Sequence, residues 1–350
     1  HSKGFKHNWQ GLKVVSTLEK INPNYKGLNL TDYTLWGILN HSSLEYKKCT
    51  YSSYGKCIYR HNDVPCHIKE QKFLLNYYNK YNRLFNSNSW SFEGLIVNIS
   101  DEIAQRHHDI EDGLYAGIID RKELVDTFYD FFSDYLDSKQ KSRLTTISNS
   151  KNQNYVIHDL SSLILGFYSI NLISNTEVML KGLLDKYQFR NEFDFYNLKS
   201  KISDNEDIFK IINFENDFNE KDKLFQKYLY SRVLNSHIAE SMDGKASYIL
   251  RNIIQAYLTN PKQLPDSTII TLFSNYYSEK EFKEISHNKS QKFLTGILRD
   301  ELGKLHSENN NEHYTEILIR TITDFIAGMT DDFALNQYRM LYGSNKLKNY

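Results

Sequence analysis

Asp101-Glu-Ile-Ala-Gln-Arg-His-His-Asp-Ile-Glu-Asp-Gly113 is the stretch on which the reading of this chain turns. At 3.6 residues per turn it sorts into two faces. Asp101, Gln105, His108, Asp109 and Asp112 recur at i, i+4, i+7, i+8 and i+11 and form one stripe. Phe92, Ile96, Ile99, Ile103 and Ile110 fall on the opposite side. The pattern predicts an amphipathic helix over 91–113 with its apolar side in a core. The stripe holds three carboxylates and an imidazole but no lysine, whereas solvated helix faces mix signs because i,i+4 Glu–Lys pairs stabilise them. Acids beside a histidine suit a hard or borderline metal ion, or the proton and sugar-hydroxyl contacts of a nucleotide site. A solvated acidic face is the plain alternative.

Working outward, helical periodicity dominates and no run of alternating strand residues stands out. Residues 6–21 read as a helix with Leu12, Val15 and Leu18 on its apolar side, and Thr31 caps a second helix carrying Leu35, Trp36, Ile38 and Leu39. The Ser/Tyr/Cys/Lys-rich stretch from Ser42 to Pro65 is irregular, and an amphipathic helix follows over 68–85. Asp120 to Leu136 is aromatic and helical, and 137–154 reads as an exposed polar loop. Helices are predicted at 158–185, 192–213, 219–240 and 244–258, the last stopped by Asn260-Pro261. Ser307 to His313 is a second loop before a final long helix over 313–342. The fold class is therefore all-α.

Composition narrows the partners. The chain has 350 residues, enough for one or two substantial cores. Forty-three basic residues balance 43 acidic ones, so no global charge draws it to nucleic acid or an anionic membrane surface. No stretch reads as eighteen or so uninterrupted apolar residues; the nearest, Leu163 to Ile173, is broken by Gly166, Ser169 and Asn171. No signal peptide opens the chain, and the expectation is a soluble cytoplasmic protein. Cys49, Cys57 and Cys66, with His61 and His67 among them, are too few and too odd in number for a disulfide framework. Their clustering permits a structural zinc site at Cys49, Cys57, Cys66 and His61, although no CxxC is present.

Gly-x-Ser-x-Gly, the Walker A loop, the glycine-rich dinucleotide fingerprint and the zincin helix are all missing, which argues against serine hydrolases, P-loop ATPases and Rossmann oxidoreductases. Beside the 101–113 stripe, two segments carry chemistry. Gly4-Phe5-Lys6-His7-Asn8-Trp9-Gln10-Gly11 opens a helix, where a histidine is most often structural. Ile322-Thr323-Asp324-Phe325-Ile326-Ala327-Gly328-Met329-Thr330-Asp331 has small residues suited to close helix packing, with Asp324 and Asp331 on one face.

In order along the chain, Gly-Phe-Lys-His-Asn-Trp-Gln-Gly-Leu (4–12), Gly-Leu-Asn-Leu-Thr with Gly-Ile-Leu (27–39), the 101–114 stretch and Asp-Phe-Ile-Ala-Gly-Met-Thr-Asp (324–331) resemble the HD-domain deoxynucleoside triphosphate triphosphohydrolases, the dGTPase-like family. Ala256 to Pro261 followed by Leu264-Pro265 adds a weaker match. The resemblance implies an HD-domain-like helical bundle with additional C-terminal helices. It also implies one divalent metal (Mg, Mn, Fe or Zn) and hydrolysis of a dNTP to the deoxynucleoside and inorganic triphosphate, in dNTP-pool control or anti-phage nucleotide depletion. On the same ground Asp101 is a metal ligand, Gln105 stands where the family has a tyrosine on the substrate, Asp109 meets the deoxyribose 3′-hydroxyl and His7 acts near the scissile phosphate. His108, His41, Arg320 and Asp324 complete the substrate-binding set, Arg320 and Lys6 being cations available to the triphosphate. Gln105, Lys6 and Asn40 depart from the pattern and favour the alternative, a catalytically lapsed homologue acting as nucleotide sensor or oligomeric scaffold.

The family's His and His-Asp metal ligands would precede residue 4, so the sequence reads as the C-terminal part of a longer polypeptide, and an N-terminal fragment of the same protein is an expected partner. Residues 1–136 are assigned to the C-terminal part of the catalytic core, with the Cys/His insertion near 42–67. The polar loop takes 137–154, and 155–350 form a helical region completing the substrate pocket, all in one continuous domain. A homo-oligomer, up to a hexamer, is expected.

Overall fold

A computed structural model describes residues 7–19, 24–41, 84, 89–150, 153–308 and 311–343. Among them every regular element is a helix. The chain forms two compact units, divided between Ser236 and His237.

Unit 1 contains α1 (His7–Lys13), continued by a π-helical turn (Val14–Leu18), α2 (Asp32–Asn40), α3 (Phe92–Tyr115), α4 (Arg121–Phe132), α5 (Ser138–Asn149), α6 (Gln153–Tyr187), α7 (Glu192–Asn205) and α8 (Asn216–Leu229). Local chemistry fixes most boundaries. Thr31, Ser91, Asp120 and Asn191 each accept a backbone N–H of the helix they open, satisfying donors that have no partner within the helix. α2 and α3 cross at glycine: a Cβ on Gly94 would lie 2.9 Å from Trp36 Cζ3 and 3.3 Å from Gly37 Cα. Gly27, at φ +70, docks against the π-turn, where Leu28 N–H donates to the Val15 carbonyl at 2.7 Å. The core of the unit is aromatic. Phe128, Phe132, Phe167, Phe218 and Phe225 are fully buried, with the Phe132 ring 5.2 Å from both Phe167 and Phe218.

Unit 2 contains α9 (His237–Thr259), α10 (Asp266–Tyr276), α11 (Glu279–Ser286), α12 (Gln291–Ser307), α13 (Glu312–Ala327) and α14 (Asp331–Tyr342). Its own core joins Ile253, Tyr257, Ile269, Leu298, Leu318 and Ile322.

Several sequence expectations change. The exposed polar loop at 137–154 is largely helix α5, held by a capping box in which Asp137 and Gln140 each accept the other's backbone N–H. Its two apolar residues, Leu144 and Ile147, are buried, so very little hydrophobic pattern was available to betray it. The long helix over 313–342 is broken in two. Gly328 ends α13 and the Thr330 side chain caps α14, so Ala327 and Gly328 terminate a helix rather than pack one against another, and Asp324 and Asp331 lie on different helices. The helix expected over 219–240 ends in a π-turn at Tyr230–Leu234, and α9 begins at His237 instead of 244. On α3, Ile96 is exposed because α2 covers the Gly94–Leu95 side of the first turns.

By length and composition, Tyr155–Tyr187 of α6 is long and apolar enough to cross a membrane, contrary to the reading of Leu163–Ile173 as a short run. Interruption by single small or polar residues does not lower the average of so long a helix enough. Val156, Leu160, Leu163, Ile164 and Phe167 on this helix are buried in the unit 1 core.

Candidate active site

α3 behaves as its periodicity requires. Ile103, Ile110, Gly113 and Leu114 are buried, Ile99 is half-buried, and Asp101, Gln105, His108 and Asp112 stand exposed on the other side. Asp109 sits at the edge, half-buried. Burial raises its carboxyl above the ordinary range and Asp112 adds to the rise, while His108 and Arg106 partly offset it. His107 lies beside His108, ring centroids 5.7 Å apart, and its Nε2 is 3.7 Å from Glu111 Oε1.

Two other candidates come together at the start of the chain. The His7 and His41 rings meet edge to face at 5.2 Å. α1 and α2 are locked by Asn8, whose buried Nδ2 donates to the Leu39 carbonyl at 2.9 Å. His41 ends α2, with Nδ1 2.6 Å from the Ile38 carbonyl. Asn40 is buried and its Nδ2 donates to the Trp36 carbonyl at 2.9 Å, so this side chain is spent on its own helix.

His41 also lines a cavity of about 1040 Å³ bounded by α2, the first turns of α3, the end of α6 and α7. Phe92, Glu93, Gly94 and Val97 supply its α3 wall. Asp101 follows Gly94 at i+7 and Val97 at i+4, so the acidic stripe begins one turn beyond the wall, on the same side of the helix. Asp101, Gln105, His108 and Asp109 themselves do not line the cavity. Arg320 and Asp324 lie one turn apart on α13 in unit 2. Cys49, Cys57, Cys66 and His61, with Lys6, fall outside the described residues.

For a metal, the exposed Asp101 carboxylate fits as one hard oxygen donor. Among the described residues no three His, Cys, Asp or Glu side chains are grouped to hold an ion. The described part of the chain therefore offers a ligand and not a centre.

Sequence reasoning missed two buried ionic groups. Arg106 lies in the middle of the apolar side of α3 and reaches α8: Nε and Nη2 donate to the two oxygens of Asp222 at 2.9 and 2.6 Å. Tyr168 O–H donates to the same carboxylate at 2.6 Å and Gln226 Nε2 at 2.8 Å. Burial raises the Asp222 carboxyl, Arg106 and Tyr168 opposing it. The signal was present, since Arg106 sits at i+3 from Ile103 and i−4 from Ile110, where a charge demands a buried partner. Lys199 was missed in the same way, at i+4 from Phe195 and i−3 from Ile202.

A model of the phosphohydrolase-associated domain matches residues 272–340. Along nearly the whole chain the sequence is similar to proteins named deoxyguanosinetriphosphate triphosphohydrolase-like. The relative from Rickettsia typhi is 26% identical over 338 residues, covering 97% of this chain and 67% of the relative. The relative from Rickettsia canadensis is 25% identical over 342 residues, covering 97% of this chain and 69% of the relative. With an all-α fold, these matches define a phosphohydrolase of the HD-domain type. Within that class, the chain is similar along nearly its whole length to the dGTPase-like proteins.

Proposed function

We propose that the intact protein hydrolyses deoxynucleoside triphosphates to the deoxynucleoside and inorganic triphosphate. The observation that carries the reading is the outward side of α3, where Asp101, Gln105 and Asp109 follow at successive turns on a helix fixed from behind by Ile103, Arg106 and Ile110. In this reading Asp101 is one ligand of a divalent metal completed by residues outside the described set. When bound, such a metal polarises a phosphoryl oxygen and acidifies a bound water. Asp109 accepts the deoxyribose 3′-hydroxyl, and Gln105 stands beside the nucleoside. Burial raises the Asp109 carboxyl, and a hydrogen bond donated by the 3′-hydroxyl would favour its ionised form. In the same reading His7, whose ring meets that of His41, passes a proton to the leaving oxygen. Assembly into a homo-oligomer belongs to the same reading, supported by Ile170, Ile173 and Val178, which stand exposed on α6.

The test is incubation of the full-length protein with each dNTP and Mg²⁺ or Mn²⁺, followed by measurement of triphosphate and of bound metal. Asp101→Ala is expected to lose both metal and turnover. Full metal occupancy and full turnover in that variant would overturn the assignment. The commitment of Asn40 to its own helix, where the family has a cation, favours the second reading, a lapsed nucleotide-binding homologue. That reading is supported if the protein binds dNTPs with no triphosphate released.

A further inference from the structure

Lys199 is 3% exposed and lines the cavity between α2, α3 and α7. Its ammonium lies over three aromatic rings, 4.2 Å from the centroid of Tyr33, 5.1 Å from Trp90 and 5.8 Å from Tyr196. Among the described residues Nζ makes no hydrogen bond and no ion pair. Ring faces repay roughly 0.5–2 kcal/mol of the desolvation of a cation, whereas an unpaired buried charge costs several. The fold thus holds a cation at a cavity wall with its electrostatic demand unmet.

The remaining lining states what could meet it. Phe92 and Phe195 stack with centroids 5.2 Å apart and, with Tyr196, give the cavity broad flat apolar walls. Its other charged groups are Arg190, Glu93 and Glu192, so two acids offset the two bases. That balance suits a ligand bearing one anionic group and disfavours a polyanion such as a triphosphate. Burial lowers Lys199 to about 8, with Glu93 opposing the fall, and the ammonium still predominates at neutral pH.

We propose that this cavity is a binding site, separate from the acidic stripe of α3, for a small amphiphilic anion: a flat apolar body with a single carboxylate, sulfonate or phosphate group on Lys199. The anion completes the coordination of a buried ammonium, and the rings hold the body of the ligand.

The experiment uses 8-anilinonaphthalene-1-sulfonate as the anionic probe and N-phenyl-1-naphthylamine, its uncharged counterpart, on the full-length protein. Fluorescence and calorimetry are expected to give one sulfonate site per chain. Lys199→Met should weaken the sulfonate roughly ten- to hundredfold, the loss of one charge-assisted contact, while leaving the uncharged probe bound as before. Lys199→Arg, which keeps the charge, should retain sulfonate affinity within a few-fold and guards against misreading a folding defect. Equal sulfonate affinity in Lys199→Met, or no site or several per chain, would overturn the proposal.

Discussion

Replacing Arg106 by Met keeps the length of an apolar stem on α3 and removes the guanidinium that Asp222 depends on. Asp222 is 3% exposed and loses the two contacts at 2.9 and 2.6 Å, retaining those from Tyr168 and Gln226. Removing one partner of a buried, hydrogen-bonded ion pair costs about 3–5 kcal/mol, because the other charge stays buried. The two surviving donors place the expected loss near the lower end, ~3 kcal/mol. With Arg106 gone, the burial that already raises the Asp222 carboxyl acts unopposed by the cation. A carboxyl raised in the folded state takes up a proton there before it does in the unfolded chain, so the penalty is full at high pH and shrinks as pH falls through the folded value. Asp222→Asn in the same chain removes the stranded charge while preserving an acceptor for Tyr168, and should restore about 2 kcal/mol of the loss. Urea unfolding followed by tryptophan fluorescence is the assay, since Trp9, Trp36 and Trp90 all lie in unit 1 and report on it alone. A loss under ~1 kcal/mol in Arg106→Met, or a double variant no more stable than the single one, would refute the reasoning.

Lys199 makes the opposite prediction for pH. Its folded-state pKa of about 8 is below the ordinary 10.5, so the native chain sheds the proton first and gains stability as pH rises from about 8 towards 10.5, by up to ~3 kcal/mol. Urea midpoints at pH 7.5 and 9.5 should therefore move apart in the wild type by more than in Lys199→Met; equal movement would count against the buried ammonium. Gly94→Ala should cost about 1–3 kcal/mol, because its methyl meets Trp36 and the Gly37 backbone at the α2–α3 crossing. The same unfolding assay checks it, and a neutral outcome would mean that the crossing yields easily.

What could be read in advance follows from the range of each interaction. Helices whose apolar residues recur over many turns, such as α3 and α6, were legible from spacing alone. α5 was not: its stability is local capping plus two buried residues, a signal that composition hides. The exposed acids of α3 were foreseen, as were the buried Ile103 and Ile110, but Ile96 stands exposed and Arg106 is buried. Arg106 and Lys199 were overlooked because Asp222, the partner of the one, and the Tyr33 and Trp90 rings beneath the other lie far away in sequence and only folding brings them close. His7 and His41 were selected by motif alone, and nothing in their spacing announced that their rings would touch.

The division at Ser236 and His237 has a practical meaning for anyone handling the gene. Each side of that peptide owns a complete interior, since α9 brings Ile249, Ile253 and Tyr257 to the same cluster as Leu302 and Leu318, and Tyr257 O–H donates to Gln337 at 2.7 Å. A coding fragment opened at His237 keeps that interior whole, whereas one opened after Thr259 discards a wall of it and should yield an insoluble product. The fragment that begins at His237 would also contain no tryptophan, so its purity could be judged by the absence of indole fluorescence.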